Sequence, residues 1–370
     1  MQVKLPDVAG KRPDSAGRPT SRRRLLRVSR DVLLIGLLTF ALGEVALRVV
    51  HHFHPVFIFY SDSYNRFRRE PFSWDYTFRL NSRGFKDVEF EVSKGEAYRI
   101  VGIGDSFAVG VVPYEDNYLT LVEEELRRSG WDVELLNMGI PNLGPKEYLQ
   151  VLIDEGLELK PDLVLLSFFV GNDFLESVRV VERSAVDYSY VASLFRYAFG
   201  IRSHLEKKIP EGPWEFDDAS PTVDPEVFLK IERYRSGICF QRPQSFKVLL
   251  DAAVGRLEEI SRICQRRGIA LVVVVIPDEF QVNRELQDAI LASRGKSRKE
   301  SKVDFARPNR MLARRLDALG IEYLDLLPAF ADAGRQVRDY KLRDTHWNIA
   351  GNRLATELIA EFLLSRRPPR

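Results

Sequence analysis

Residues Tyr98–Gly110 read YRIVGIGDSFAVG. Tyr98–Ile103 reads as a strand that runs directly into a Gly-Asp-Ser turn, with Ser106 just past the carboxyl end. Working outward, short apolar runs alternate with longer amphipathic stretches. A helix is expected over Asn117–Arg128, ending at Gly130, then a strand over Val133–Asn137 and a helix over Pro145–Leu157. Pro161 and Asp162 introduce LVLLSFF (Leu163–Phe169), an apolar run of the kind buried on both faces of a sheet. A helix over Ser245–Arg267 leads into LVVVVI (Leu271–Ile276). A helix over Asn309–Leu319, a strand over Glu322–Leu326 and a helix over Asn348–Leu364 follow. This alternation predicts an α/β fold: a doubly wound parallel sheet sandwiched by helices.

Two stretches break the rhythm. Phe174–Pro243 is a 70-residue interruption rich in Tyr, Phe, Pro and Asp, too long for an ordinary loop. It should carry its own structure and is placed to cover a site. Arg294–Lys302 (RGKSRKESK) reads as a basic, solvated turn.

The 370 residues are 45% hydrophobic and 29% charged, which excludes a disordered, collagenous or disulfide-framework chain. A formal net charge of +2 gives no argument for nucleic acid. That total hides a segregation: residues 1–30 sum to +7 and the rest to −5. After Arg30 and Asp31, Val32–Gly43 carries no charge, and apolar character continues to Val50 with only Glu44 and Arg48 interrupting. Residues 32–50 are long enough to span a bilayer core. Glu44 and Arg48 are four apart and share a helix face. Arg18–Arg30 holds six Arg, whereas residues 51–65 hold neither Lys nor Arg, so the N-terminus is expected in the cytoplasm and the body outside it. A cleaved signal peptide, a twin-arginine signal at SRRRLLR (Ser21–Arg27) and a buried core helix are the competing readings. The expected organisation is a basic tail at 1–31, an anchor or uncleaved signal at 32–50, a linker and lead-in at 51–97, and a domain at 98–370 with an insertion at 174–243. Cys239 and Cys264 allow one disulfide or two buried thiols.

A serine at Ser106 could be a helix cap or a nucleophile, and a nucleophile needs a base. Of five histidines, His51, His52 and His54 sit beside the apolar segment and His204 lies in the interruption. His346 remains, in LRDTHWNIAGN, with Asp344 two residues before it and Asn348 placed to cap the final helix. An oxyanion would need hydrogen-bond donors. Gly139 follows the second strand and Asn172 the third, each a turn residue by default. All four segments fall at carboxyl ends of strands, where doubly wound sheets keep their sites. No metal-ligand spacing and no phosphate-cradling loop is present, so no metal and no cofactor is expected.

Gly104-Asp105-Ser106 with Phe107, Gly139 after Asn137, Asn172-Asp173, and Asp344 with His346 together resemble the four blocks of the SGNH (GDSL-type) hydrolases, over roughly Arg99–Leu364. Asn81–Asp87 (NSRGFKD) looks like the lead-in of membrane-anchored bacterial members. The sequence departs from the usual pattern in carrying Val170-Gly171 before Asn172, and in the two-residue spacing of Asp344-Thr345-His346-Trp347. That last block is similar to the DTHW-type block of the alginate O-acetylation proteins. The resemblance implies a flavodoxin-like sheet, Ser106 as nucleophile, His346 as base and Asp344 as its orienter. It also implies an oxyanion hole from the Ser106 N–H, the Gly139 N–H and the Asn172 side chain.

The expected function is a serine esterase that removes acyl groups, O-acetyl above all, from extracytoplasmic carbohydrate or envelope esters. One alternative is a polysaccharide O-acyltransferase using the same three residues, with Trp347 and the aromatic-rich interruption as a sugar platform, although core packing is the expected role of most of those aromatics. Another is an inactive, membrane-tethered carbohydrate-binding or assembly protein. The expected partners are an acylated carbohydrate or other ester and the bacterial inner membrane through residues 32–50, with no nucleic acid.

Overall fold

A computed structural model describes residues 21–53, 64–179, 188–204, 213–333 and 338–366. The first twenty residues of the basic tail, His54, and residues 180–187 and 205–212 of the interruption lie outside the described residues. Helix α1 (Ser21–Phe53) precedes a short ribbon, β1 (Trp74–Asp75) and β2 (Phe78–Arg79). The main sheet follows: β3 (Tyr98–Ile103), β4 (Val133–Asn137), β5 (Leu163–Phe169), β6 (Ala270–Ile276) and β7 (Glu322–Asp325). The helices between them are α2 (Ser106–Val109), α3 (Tyr118–Arg128), α4 (Pro145–Val151), α5 (Asp173–Glu176), α6 (Tyr190–His204), α7 (Pro225–Arg235), α8 (Gly237–Phe240) and α9 (Pro243–Arg267). Then come α10 (Glu279–Val282), α11 (Arg284–Ser293), α12 (Arg307–Leu319), α13 (Leu327–Ala333) and α14 (Ile349–Leu364).

The five main strands pair in parallel in the order β4-β3-β5-β6-β7. Alternate side chains feed two cores, one on each face, because successive strand residues point to opposite sides. Val101, Ile103, Val164, Leu166, Phe168, Val273 and Val275 pack with residues of α4, α9 and α12. Ile100, Leu165, Phe169, Val272 and Val274 pack with residues of α3 and α14. Every residue of β5 is buried, so Ser167 needs a partner there and shares a 2.5 Å hydrogen bond with the Tyr118 hydroxyl. The chain leaves β3 outward to β4, then returns across it to β5. The carboxyl end of β3 is therefore the point where strand order reverses, and doubly wound sheets leave a crevice there.

Asn117 and Asn348 cap α3 and α14, their side chains accepting the Leu119 and Gly351 N–H groups. Helices α9 and α12 begin two residues earlier than expected, at Pro243 and at Arg307 before Pro308, since proline suits a helix's first turn. Helix α4 stops at Val151 rather than Leu157, and the chain widens into a π-turn over Leu152–Gly156. The interruption contributes α6 to α8. Cys239 and Cys264 are both buried free thiols. Trp347 is 1% exposed, stacked on Phe330 at 4.9 Å and edge-on to Phe107 and Tyr118. It is a core residue, so it offers no platform to a sugar. Nor is Arg294–Lys302 wholly solvated, for Arg294 lies over the Phe240 ring at 4.1 Å.

Helix α1 is 33 residues long, and its Arg24–His51 portion is long and apolar enough to cross a membrane, with none of its most apolar window buried. A single such helix near the N-terminus fits a membrane span or a signal sequence.

Candidate active site

The turn after β3 places Ser106 at the first position of α2. Asp105, not Ser106, is the cap: its side chain accepts the Phe107 N–H at 2.9 Å. This leaves the Ser106 hydroxyl free of a structural task. It lies 2.8 Å from His346 Nε2. His346 Nδ1 lies 2.6 Å from Asp344 Oδ1, which also accepts the His346 backbone N–H at 3.2 Å.

The loop that delivers Asp344 and His346 is closed at its base. Tyr340 and Trp347 form a bridge, the Lys341 N–H donates to the His346 carbonyl at 2.9 Å, and the Tyr340 hydroxyl ties the loop to the Pro277 carbonyl at 2.8 Å. Burial alone would raise the Asp344 carboxyl. The His346 ring, its charge and the Thr222 hydroxyl outweigh it and hold the carboxyl down at about 2. An ionised carboxylate can only accept, so Nδ1 carries the proton and Nε2 is left to accept from the Ser106 hydroxyl.

The two candidate oxyanion donors sit on the neighbouring turns with acceptors of their own. Asn172 Nδ2 donates to Asp105 Oδ2 at 3.2 Å, and the Gly139 N–H donates to Asn137 Oδ1 at 2.9 Å. Glycine is dictated at 139 by space, since a Cβ there would stand 2.7 Å from Ala108 Cβ and 2.8 Å from the Val109 nitrogen. Gly171, the departure before Asn172, has a similar cause: a Cβ would stand 2.1 Å from Asp278 Oδ2. Asp278 belongs to a buried cluster behind this turn, with Arg235 of α7 3.7 Å away and 3.8 Å from Glu232.

Sequence reading missed Thr222. Its Oγ1 donates to Asp344 Oδ2 at 2.7 Å, so both carboxylate oxygens are engaged. Thr222 belongs to a strap from the interruption. The strap holds the His346 loop through Thr222 N–H to the Leu342 carbonyl (3.1 Å), Lys341 to the Ser220 carbonyl (2.9 Å) and Arg338 to the Asp218 carbonyl (2.9 Å). At its start, Trp214 and Phe216 pack on Tyr76, whose hydroxyl donates to the Val111 carbonyl just past α2. The lead-in also reaches the site: Asp87 Oδ2 accepts the Asn137 N–H at 2.7 Å.

Glu279 follows β6 beside this site. Burial pushes its carboxyl up to about 7, against one hydrogen bond from Asn283 at 2.9 Å. A folded-state value above the unfolded one gives stability below about pH 4 that is lost as pH rises through about 7. Glu279→Gln removes that loss. It is expected to stabilise the protein by about 1–3 kcal/mol at pH 8 and to leave it unchanged at pH 3. Thermal unfolding at the two pH values checks this; equal gains at both would rule it out.

A family model described as the SGNH hydrolase-like domain of the acetyltransferase AlgX matches residues 240–369, the portion that includes Asp344 and His346. No curated protein matches. Among solved structures, the acetyl xylan esterase AlAXEase is 15% identical over 73% of this chain and 100% of its own, with a TM-score of 0.41. A variant of the acetyl-xylooligosaccharide esterase Axe2 from Geobacillus Stearmophilus is 12% identical over 72% and 94%, TM-score 0.40. The lipase/acylhydrolase from Enterococcus faecalis is 15% identical over 74% and 98%, TM-score 0.38. Hydrolysis or transfer of acyl groups is the kind of chemistry the family match supports. Residues 240–369 thus resemble an SGNH hydrolase-like domain, and the five-stranded parallel sheet flanked by helices agrees with that fold.

Proposed function

We propose that the protein is a serine acyl esterase acting on O-acyl groups, O-acetyl above all, of carbohydrate outside the cytoplasm. The hydrogen-bonded chain Ser106–His346–Asp344 at the carboxyl end of β3 carries this reading. Ser106 Oγ attacks the ester carbonyl carbon while its proton passes to His346 Nε2. Collapse breaks the acyl–oxygen bond, the imidazolium returns the proton to the departing sugar oxygen, and the acyl group remains on Ser106. Water, deprotonated by the same imidazole, then releases the acid. The Ser106 N–H, the Asn172 amide and the Gly139 N–H are the oxyanion donors. Asn172 and Gly139 exchange Asp105 and Asn137 for the developing charge, which binds donors more strongly than either.

A second reading, transfer to a sugar hydroxyl, is favoured by the match to the acetyltransferase AlgX. The two part at the second step only, according to whether water or a hydroxyl takes the acyl group. Incubation with an aryl acetate and a polysaccharide acceptor tests both. Free acetate alone supports the esterase, an acetylated acceptor supports transfer, and neither product removes both.

Thr222 positions Asp344 in this scheme. Thr222→Val leaves Oδ2 without its donor and is expected to lower kcat on the order of tenfold with KM little changed. Thr222→Ser keeps the hydroxyl and should retain most of the activity. Equal losses in the two variants would show that the threonine serves packing instead.

Helix α1 is the membrane anchor in this reading, with the Arg-rich side of Arg24–Arg30 cytoplasmic and the acyl-transfer site exported.

A further inference from the structure

Glu44 and Arg48 interrupt the apolar run of α1, and both are spent on holding a second helix. Arg48 donates to Glu44 Oε1 at 2.6 Å. Glu44 also accepts the Tyr190 N–H at 3.0 Å, the Val191 N–H at 3.1 Å and the Ser189 hydroxyl at 3.0 Å. The first N–H groups of a helix have no intrahelical acceptor, so Glu44 caps α6 from another element. Arg48 completes the joint, donating to the Tyr188 carbonyl at 2.9 Å and lying over the Tyr190 ring at 4.5 Å.

The depth of this joint is set by helix geometry. Glu44 stands about 20 Å along α1 from Asp31, within a hydrocarbon core of about 30 Å. A carboxylate at that depth needs partners. From the joint, α6 turns Phe195 and Phe199 outward, 60% and 63% exposed, with their rings stacked 6.4 Å apart. On α1, Leu37 and Leu38 two turns before Glu44 and Val45 just after it are as exposed. Both helices of the joint thus carry exposed apolar side chains.

We propose that α6 is a second membrane element, embedded in the outer leaflet beside α1, capped by Glu44 and presenting Phe195 and Phe199 to lipid. This rests on the reading of α1 as an anchor. Spin labels on Leu38→Cys, Phe195→Cys, Phe199→Cys and Tyr234→Cys, in the full chain in phosphatidylcholine–phosphatidylglycerol vesicles, test it. Cys239 and Cys264 are buried and stay out of the labelling. Labels at 38, 195 and 199 are expected to be reached by oxygen and shielded from a water-soluble nickel chelate, and the label at 234 the reverse. Nickel access at 195 and 199 with 38 still in lipid overturns the proposal alone. Shielding of 195 and 199 from both reagents also overturns it, since a second copy would then cover the face. Nickel access at 38 overturns the anchor reading and the proposal with it. Glu44→Ala is expected to open 195 and 199 to nickel while 38 stays in lipid; no change would remove Glu44 as the cap.

Discussion

Ser106→Ala is expected to lower turnover of an aryl acetate by a factor on the order of 10⁴ to 10⁶ while leaving the fold intact. The size follows from what the hydroxyl does in the proposed chemistry. Without Oγ there is no acyl-enzyme, and any residual rate comes from donors and binding alone. Its innocence toward the fold follows from the local geometry. Asp105 supplies the cap of α2, the Ser106 carbonyl still accepts the Gly110 N–H at 2.8 Å, and the only side-chain hydrogen bond described for Ser106 is the one to His346. A serine-directed phosphonate should label the native protein and not the variant. Equal ester turnover in both would end the nucleophile assignment, and an unlabelled native protein would favour an inactive carbohydrate-binding or assembly role.

Much of this site could be read from sequence because each part announces itself locally. Apolar runs such as Leu163–Phe169 betray strands buried on both faces, and a parallel sheet then fixes where the turns after β3, β4 and β5 must meet. Asn117 and Asn348 signalled helix starts through their own side chains. Thr222 carried no such sign. It stands 122 residues before Asp344, in a strap without helical or strand periodicity, and only the folded chain brings the two together. The same holds for Glu44, whose partners lie about 145 residues on, at the start of α6. Trp347 is a case in which sequence leaves two roles open. An aromatic beside a candidate histidine suggests a sugar platform, but the alternation that aims His346 at Ser106 aims Trp347 into the core between Phe107 and Phe330. The contact that demands glycine at 139, with Ala108 and Val109 of α2, likewise shows only in the folded chain.

Asp344→Asn is expected to cost about 10⁴-fold in kcat, although the side chain keeps its shape. In the native protein Nδ1 of His346 donates to Asp344, and Nε2 therefore accepts from Ser106. An amide can satisfy the same contact by donating its own N–H to Nδ1. The ring proton then moves to Nε2, and the imidazole cannot take the serine proton. Stability should respond on a smaller scale and with its own pH dependence. The Asp344 carboxyl is held at about 2, below the unfolded value near 4. A lowered carboxylate contributes stability above pH 4 that is lost as pH falls toward 2. The variant should therefore lose about 1–2 kcal/mol at pH 7 and almost nothing near pH 2, as read by denaturant unfolding. The kinetic loss corresponds to roughly 5 kcal/mol, well beyond the stability term, so unfolding cannot account for it. A variant within tenfold of native kcat would mean that Asp344 holds the loop together with Thr222 but does not set the tautomer of His346.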